Sequence, residues 1–194
     1  MAEASDNRQP LSKNVVGIAA IVLVVVIAVA LGLYFLLRSD KKGGGHGATG
    51  KYKAVSAVVL TSSQIRSESL IIQGEQFFWA GPKRGYQTEF RRTVDGFIYV
   101  RYLPNGVHVG QAGDFLDIAT YPFAQAVNGL KNQAKKAHAT VVRGRGGSYI
   151  YVDPKRPRTV YMAFNGINYQ VEIFGQNPID SVTLAKSGKI RLAR

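Results

Sequence analysis

One stretch of the sequence decides the fold class, and it reads Tyr86-Gln87-Thr88-Glu89-Phe90-Arg91-Arg92-Thr93-Val94-Asp95-Gly96-Phe97-Ile98-Tyr99-Val100-Arg101-Tyr102-Leu103. Two runs rich in aromatic and β-branched residues flank Asp95-Gly96. This dipeptide favours a type I′ turn, because both central residues of that turn need positive φ. The stretch therefore predicts two antiparallel strands joined by a tight turn.

The residues on either side predict the other elements of the domain. Thr61 and Gln64 have the spacing of a capping box, which indicates the start of a helix. Pro122 suits the first turn of a second, amphipathic helix, and Asn177 is a preferred cap for a third. Further strands are expected at residues 77–80, 115–119, 139–143, 148–152, 159–164 and 168–174.

Together these elements predict an α+β fold, with a meandering antiparallel sheet and about three helices packed on one of its faces. The alternation of Tyr169-Gln170-Val171-Glu172-Ile173 indicates that one sheet face is packed and the other is solvated. A helix followed by a hairpin, with Asp95-Gly96 or Asn165-Gly166 at its turn, occurs in each half. This order is at most a weak internal duplication.

The N-terminal quarter of the chain has a different composition. Residues 15–37 carry no charged side chain, and a helix of this length reaches roughly 35 Å, which is enough to cross a bilayer. The run ends in bulky Tyr34-Phe35, unlike the small residues of a cleaved secretory signal. We therefore expect a polar tail at residues 1–14, a transmembrane helix at 15–37, a glycine-rich linker at 38–50 and a globular α+β domain at 51–194.

The chain is strongly basic, with a formal net charge of +13, and it has no cysteine. Residues 51–194 hold 20 basic and 9 acidic residues, so most of the excess lies in the predicted domain. Such a balance favours anionic neighbours such as lipid head groups, wall polymers or nucleic acid, although a merely solubilising surface has the same composition. The lack of cysteine excludes disulfides and thiolate sites.

Basic residues cluster around the predicted strands, and they are the candidates for an anion-binding site. Tyrosines lie between them and could stack on bases or sugars, whereas in the alternative interpretation the arginines only keep the sheet edges soluble. Strand parity places Arg91 and Arg101 on one face and Arg92 on the other, so we expect no single arginine-rich face. The candidates are Lys83, Arg84, Arg91, Arg92, Arg101, Arg143, Arg145, Lys155, Arg156 and Arg158.

The sequence contains no convincing catalytic or metal-binding spacing. Asp114 and Asp117 are close together and could form a general acid/base pair, but we interpret them as solvated loop acids. His46, His108 and His138 lack the spacing of metal ligands. We therefore expect no catalytic residue, no cofactor and no bound metal.

Several motifs of the domain form a pattern along the chain, namely Phe78-Trp79-Ala80-Gly81-Pro82, Gly85-Tyr86, Arg92-Thr93, Asp95-Gly96, Tyr99-Val100-Arg101-Tyr102-Leu103-Pro104, Gly106, Val160-Tyr161 and Tyr169-Gln170-Val171. This pattern resembles uncharacterised bacterial single-pass membrane proteins with a small C-terminal α+β domain. The resemblance covers most of residues 60–190 and implies a bacterial membrane protein, but it implies no activity and no site residues.

Three functions are compatible with these patterns. The leading hypothesis is a membrane-anchored, non-enzymatic interaction or accessory module with a protein partner in a membrane complex. The alternative is a basic domain that binds a polyanion, namely anionic lipid, a wall polymer or nucleic acid. The third is an enzyme with a loop carboxylate site at Asp114 and Asp117.

We predict that the C-terminal domain lies on the outer side of the membrane. Long domains translocate largely regardless of charge, although Arg38, Lys41 and Lys42 beside the span would favour the cytoplasm. Protease added to intact spheroplasts should then remove an epitope at the C-terminus of the full chain. Protection until lysis would reverse this topology.

Overall fold

A computed structural model describes residues 54–71 and 76–194 of the chain. The predicted tail, transmembrane helix and linker lie outside these residues. Along the described residues, no helix is long and apolar enough to cross a membrane. The elements are β1 (Ala54–Leu60), α1 (Ser62–Ile71), β2 (Phe78–Trp79), β3 (Tyr86–Thr93), β4 (Ile98–Pro104), β5 (Leu116–Pro122), α2 (Ala126–Lys136), β6 (Val142–Arg143), a 3-10 turn (Arg145–Gly147), β7 (Ser148–Val152), β8 (Thr159–Phe164), β9 (Tyr169–Phe174), α3 (Pro178–Lys186) and β10 (Arg191–Leu192).

Eight antiparallel strands form one large sheet in the order β1-β3-β4-β5-β9-β8-β7-β6, and β2 pairs with β10 in a small second sheet. Strands β3 to β5 are one meander, and strands β6 to β9 are another. The two meanders join where β5 pairs with β9, from Asp117 opposite Phe174 to Pro122 opposite Tyr169. The predicted α+β class and antiparallel sheet are therefore confirmed.

The β3–β4 hairpin is confirmed, but its turn is not type I′. The Thr93 N–H donates to the Phe97 carbonyl at 2.9 Å, which leaves three residues in the loop. Gly96 has a φ of 76°, whereas Asp95 has no positive φ. This is the three-residue hairpin loop, in which only the last position takes the left-handed conformation that glycine tolerates best.

The predicted caps of the first and third helices are confirmed. Thr61 and Gln64 form the capping box, with Gln64 Oε1 accepting the Thr61 N–H at 2.8 Å and Thr61 Oγ1 accepting the Gln64 N–H at 3.3 Å. Asn177 Oδ1 accepts the Ile179 N–H at 2.9 Å, and proline follows the cap.

The predicted start of the second helix is wrong. Pro122 is the last residue of β5, and α2 begins only at Ala126, after Gln125 in a left-handed conformation with a φ of 53°. The strand expected at residues 115–119 instead continues to Pro122, because pairing with β9 extends it. A long-range strand pairing has overridden a local helix signal.

The helices pack on both faces of the large sheet, so the prediction of one helix-covered face is also wrong. Ile65 of α1 and Ala185 of α3 belong to the main core, together with sheet residues such as Ile118. On the opposite face, α2 covers strands β7 to β9. The side chains in this second core are Ala126, Leu130, Ala134, Tyr149, Tyr151, Tyr161 and Ala163. The tyrosines and alanines that alternate along β7 and β8 leave this face apolar enough to be buried under a helix.

Tyr102 joins the small sheet to the large one. Its side chain is 1% exposed, and its hydroxyl accepts a hydrogen bond from the Ala80 N–H at 2.9 Å and donates one to the Gly81 carbonyl at 3.0 Å. Burial raises the pKa of Tyr102 to about 12. The hydroxyl therefore keeps its proton and can satisfy both backbone groups.

We predict that Tyr102→Phe lowers the free energy of unfolding by about 1–3 kcal/mol, because two backbone groups lose their partner. Urea unfolding of the full chain in a neutral detergent can be followed by the fluorescence of Trp79, the single tryptophan. Tyr86→Phe is the control, since Tyr86 is 36% exposed, and it should change stability by less than ~0.5 kcal/mol. Equal losses at both positions would contradict the role given to Tyr102.

Candidate binding face

The face of the large sheet opposite the main core carries a row of charged side chains where α2 does not cover it. Strand pairing places Glu89 beside Arg101, and Arg101 beside Asp117. Glu172 of β9 pairs with Ala119 of β5, two residues along the strand from Asp117. Because residues paired in register project to the same side of a sheet, these side chains share one face. We call Glu89, Arg91, Arg101, Asp117, Arg156 and Glu172 the ionic face.

Glu89 is fully buried and is held by three donors. Arg101 Nη1 donates to Oε1 at 3.0 Å, and Arg91 Nη2 donates to the same oxygen at 3.1 Å. The Gly110 N–H donates to Oε2 at 2.6 Å. A buried carboxylate needs such partners, since an unpaired buried charge costs several kcal/mol. The contact with Gly110 also ties the β4–β5 loop to this face.

Arg101 extends the same network to the loop. Its Nη2 donates to the Gln111 carbonyl at 3.2 Å, and its guanidinium lies 5.2 Å from the centre of the Phe115 ring. Gln87 adds a side-chain hydrogen bond to the Val107 carbonyl. The loop between β4 and β5 is therefore fixed over one end of the ionic face.

Asp117 lies at the centre of the ionic face, opposite Arg101. Burial raises its pKa to about 7, with Arg101 opposing the shift and the negative charge of Glu172 adding to it. A carboxyl with such a pKa changes its charge near neutral pH.

Glu172 brings the second half of the chain into the ionic face. Burial raises its pKa, and this shift is opposed by nearby Arg156 and by a hydrogen bond from the Tyr121 hydroxyl to Glu172 Oε2 at 3.3 Å. Arg156 lies over the Tyr161 ring at 5.7 Å from its centre, and its Nε is 3.9 Å from Asp153 Oδ2. The positive charge that opposes the pKa shift of Glu172 thus comes from the β7–β8 loop.

Three aromatic rings border the charged row. Tyr121 makes edge-to-face contacts with Phe97 at 5.0 Å and with Tyr99 at 6.1 Å between ring centres. All three side chains are only partly buried. Burial, with the charge of Glu172 beside it, raises the pKa of Tyr121 well above its usual value. The face therefore combines neutral hydroxyls and partly exposed rings with charged groups.

Three buried atoms of the ionic face have no hydrogen-bond partner among the described residues. They are the donors Arg91 Nε and Arg156 Nε and the acceptor Asp117 Oδ1. The contact of Arg156 Nε with Asp153, at 3.9 Å, is too long for a hydrogen bond. Buried polar groups are almost always paired in folded proteins, and ordered water is one of their usual partners.

The structure brings together three of the ten candidate anion-binding residues, namely Arg91, Arg101 and Arg156. Arg92 lies on the opposite sheet face, as strand parity predicts. Arg158 is turned away to Asp114, with its Nη2 2.7 Å from Asp114 Oδ2. The remaining candidates are exposed in turns or at the far sheet edge: Lys83, Arg84, Arg143, Arg145 and Lys155.

The interpretation of Asp114 and Asp117 as solvated loop acids is wrong for Asp117, whereas Asp114 does lie in the loop with its side chain 39% exposed. Asp117 is a strand residue in the middle of the sheet, and burial dominates its protonation. Asp114 is in the loop but is bound to Arg158. The two acids face different cations and do not form a pair.

Of the histidines, His108 lies in the β4–β5 loop and His138 follows α2, where it has a φ of 52°. His46 lies outside the described residues. Among the residues that the structure describes, no group of three or more His, Cys, Asp or Glu side chains could hold a metal ion.

Sequence reasoning missed Glu89, Glu172 and Tyr121 as members of the site. The parity of the β3–β4 hairpin already grouped Glu89 with Arg91 and Arg101, so this acid could have been found. Glu172 and Tyr121 join the others only through the β5–β9 pairing, which no local pattern predicts.

We predict that Asp117→Asn changes how stability depends on pH. The folded-state pKa is above the ordinary value of 3.8, so the neutral form stabilises the fold at low pH, and this contribution is lost as the pH rises towards 7. The free energy of unfolding of Asp117→Asn relative to wild type should therefore increase by roughly 1–3 kcal/mol between pH 5 and pH 8.

Urea unfolding of the full chain at both pH values, followed by Trp79 fluorescence, measures this change. Comparing the two pH values removes any effect of the asparagine amide on stability that does not depend on pH. Asp95→Asn, in the exposed β3–β4 turn, is the control substitution. If the free energy of unfolding of Asp117→Asn relative to wild type is the same at the two pH values, Asp117 is not held neutral by the fold.

No relative of this chain was found among known proteins. The chain matches no protein-family model, no curated protein sequence and no solved structure.

Proposed function

We propose that this chain is a single-pass bacterial membrane protein whose domain is a non-enzymatic interaction module on the outer side of the membrane. The uncharged run at residues 15–37 and the glycine-rich linker after it support the anchored arrangement. The ionic face supports the proposed interaction, because it is the surface through which the domain would bind its partner. We propose that this partner is a protein.

The observation that carries this proposal is that the ionic face neutralises its charges internally. Arg91 and Arg101 share Glu89, while Arg156 lies near Glu172. A face balanced in this way attracts neither a polyanion nor a polycation strongly. Protein surfaces, by contrast, offer donors, acceptors and apolar area together, and protein interfaces are enriched in Tyr and Arg.

Binding to a polyanion is the alternative function. It requires several cations that can neutralise neighbouring phosphates at the same time. Only three of the ten candidate residues meet on the ionic face, and two of them, Arg91 and Arg101, already hold Glu89. We therefore expect weak binding to anionic vesicles and to single-stranded DNA, with a shallow dependence on salt.

An enzymatic function is the third hypothesis, and the raised pKa of Asp117 is the observation in its favour, since a general base works best with a pKa near the operating pH. Its second carboxylate, Asp114, is bound to Arg158. The carboxylate pair that this hypothesis requires is therefore not assembled, and it ranks below the other two.

The test of the proposed function compares Arg156→Glu with Lys155→Glu in the full chain. Both variants reverse one charge in the same loop, but only Arg156 belongs to the ionic face. Cells that express each form are cross-linked, the protein is purified in mild detergent, and the cross-linked partners are quantified. A protein partner that is lost in Arg156→Glu and kept in Lys155→Glu is the expected result.

Two results would contradict the proposal. The first is equal retention or equal loss of every cross-linked protein in the two variants. The second is tight binding of the full chain, in zwitterionic nanodiscs, to single-stranded DNA or anionic vesicles, with affinity falling about 10-fold or more per threefold rise in salt, as several neutralised phosphates require. This second result would favour the alternative function.

A further inference from the structure

A cavity of about 530 Å³ lies on the main-core side of the large sheet, away from the ionic face. Its walls come from distant parts of the chain: α1, β2, the 3-10 turn before β7, the β8–β9 hairpin and the segment that follows α3. The volume falls within the ~300–1,000 Å³ range of small-molecule sites. The cavity is thus a candidate ligand site that is separate from the proposed protein-binding face.

The floor of the cavity is apolar and aromatic. Phe78 and Phe164 stack with their ring centres 4.7 Å apart and their planes 9° from parallel. Trp79 and Ile190 continue this floor and belong to the main core. Phe78, Trp79 and Ile190 are at most 3% exposed, so the surface open to an apolar ligand comes from Phe164, Ile167 and Leu192, which pack against this core. Packing against the core makes that surface preformed.

The charged residues among the described lining residues of the cavity are arginines. Arg66 comes from α1, Arg191 from β10, and Arg194 follows β10, whereas no acidic residue is among the described lining residues. Arg191 packs close to Gly81, since a Cβ added to that glycine would lie 3.7 Å from Arg191 Nη2. Guanidinium groups bind carboxylates with two parallel hydrogen bonds.

We propose that this cavity binds a small apolar carboxylate, with the carboxylate held by Arg191 and Arg194 and the apolar body resting on the half-buried Phe164, Ile167 and Leu192, beside the buried Phe78 and Trp79. The arginines among the described lining residues favour an anion, and the apolar residues beside them favour an apolar body. A ligand that lacks the carboxylate or the apolar body therefore loses one of the two kinds of contact. This site lies outside the ionic face, so the proposal goes beyond the proposed function and does not depend on it.

Trp79 makes the proposal directly testable, because the single tryptophan of the chain lines the cavity. The full chain in zwitterionic nanodiscs is titrated with octanoate and with 4-phenylbutyrate while Trp79 emission is recorded. Octan-1-ol and acetate serve as the probes that lack the charge or the apolar body. We expect a saturable change of Trp79 emission with both carboxylates and no change with acetate. Octanol should bind at least about tenfold more weakly than octanoate, because it loses a charge-assisted hydrogen bond.

The doubly substituted Arg191→Ala/Arg194→Ala form should lose at least about tenfold in octanoate affinity while its response to octanol stays unchanged. Arg143→Ala is the matched control, since Arg143 is an exposed arginine that lies over the Tyr149 ring on the other face of the sheet. If urea unfolding shows that the double variant is unstable, the wild-type chain is titrated at a higher salt concentration instead. Screening by salt should weaken the binding of octanoate and leave the binding of octanol unchanged.

Three results would overturn the proposal. They are a lack of saturable change with either carboxylate, equal affinity for octanoate and octanol, and an equal loss of octanoate binding in the Arg143→Ala control. None of these results bears on the cross-linking test of the ionic face, so the two proposals fail independently.

Discussion

The pairing of β5 with β9 is the interaction on which the rest of this structure depends. It joins the meander of β3 to β5 to the meander of β6 to β9, and six residue pairs hold it in register. With that register, Ile118 and Val171 fall on the main-core face, while Asp117 and Glu172 fall on the opposite face. A shift by one residue would exchange these faces and place two carboxylates in the apolar core.

The same pairing explains why the ionic face is costly and yet stable. Two acids from different halves of the chain lie on this face, where burial raises the pKa of both, and the charge of Glu172 raises the pKa of Asp117 further. Arg101 and Arg156 offset this repulsion, one from each half. Removing a buried partner such as Arg101 would leave the fully buried Glu89 with Arg91 as its one remaining cationic partner among the described residues, at a cost of up to about 3–5 kcal/mol. For this reason Arg101→Ala tests the fold more than it tests anion binding.

The two sides of the large sheet differ in their chemistry, although the chain as a whole is strongly basic. On the side of the ionic face, acids match the arginines almost one for one. Around the cavity on the other side, Arg66, Arg191 and Arg194 line an apolar floor without an acid among the described lining residues. A net charge of +13 therefore describes the composition, but it does not tell where an anion would bind.

By itself, the sequence determined the elements whose signals are local. Hairpin turns, the capping box at Thr61 and the cap at Asn177 depend on residues within four positions of one another, so their chemistry is visible in the chain. The parity of β3 and β4 was also sufficient to separate Arg92 from Arg91 and Arg101. The tertiary structure decided what depends on distant residues: that Pro122 ends a strand, that α2 covers the second face, that Asp117 lies half-buried near Glu172, and that arginines from both ends of the domain line one cavity. The physical reason is that burial and charge proximity are set by strand pairing across the whole domain, whereas a sequence pattern records only neighbours along the chain.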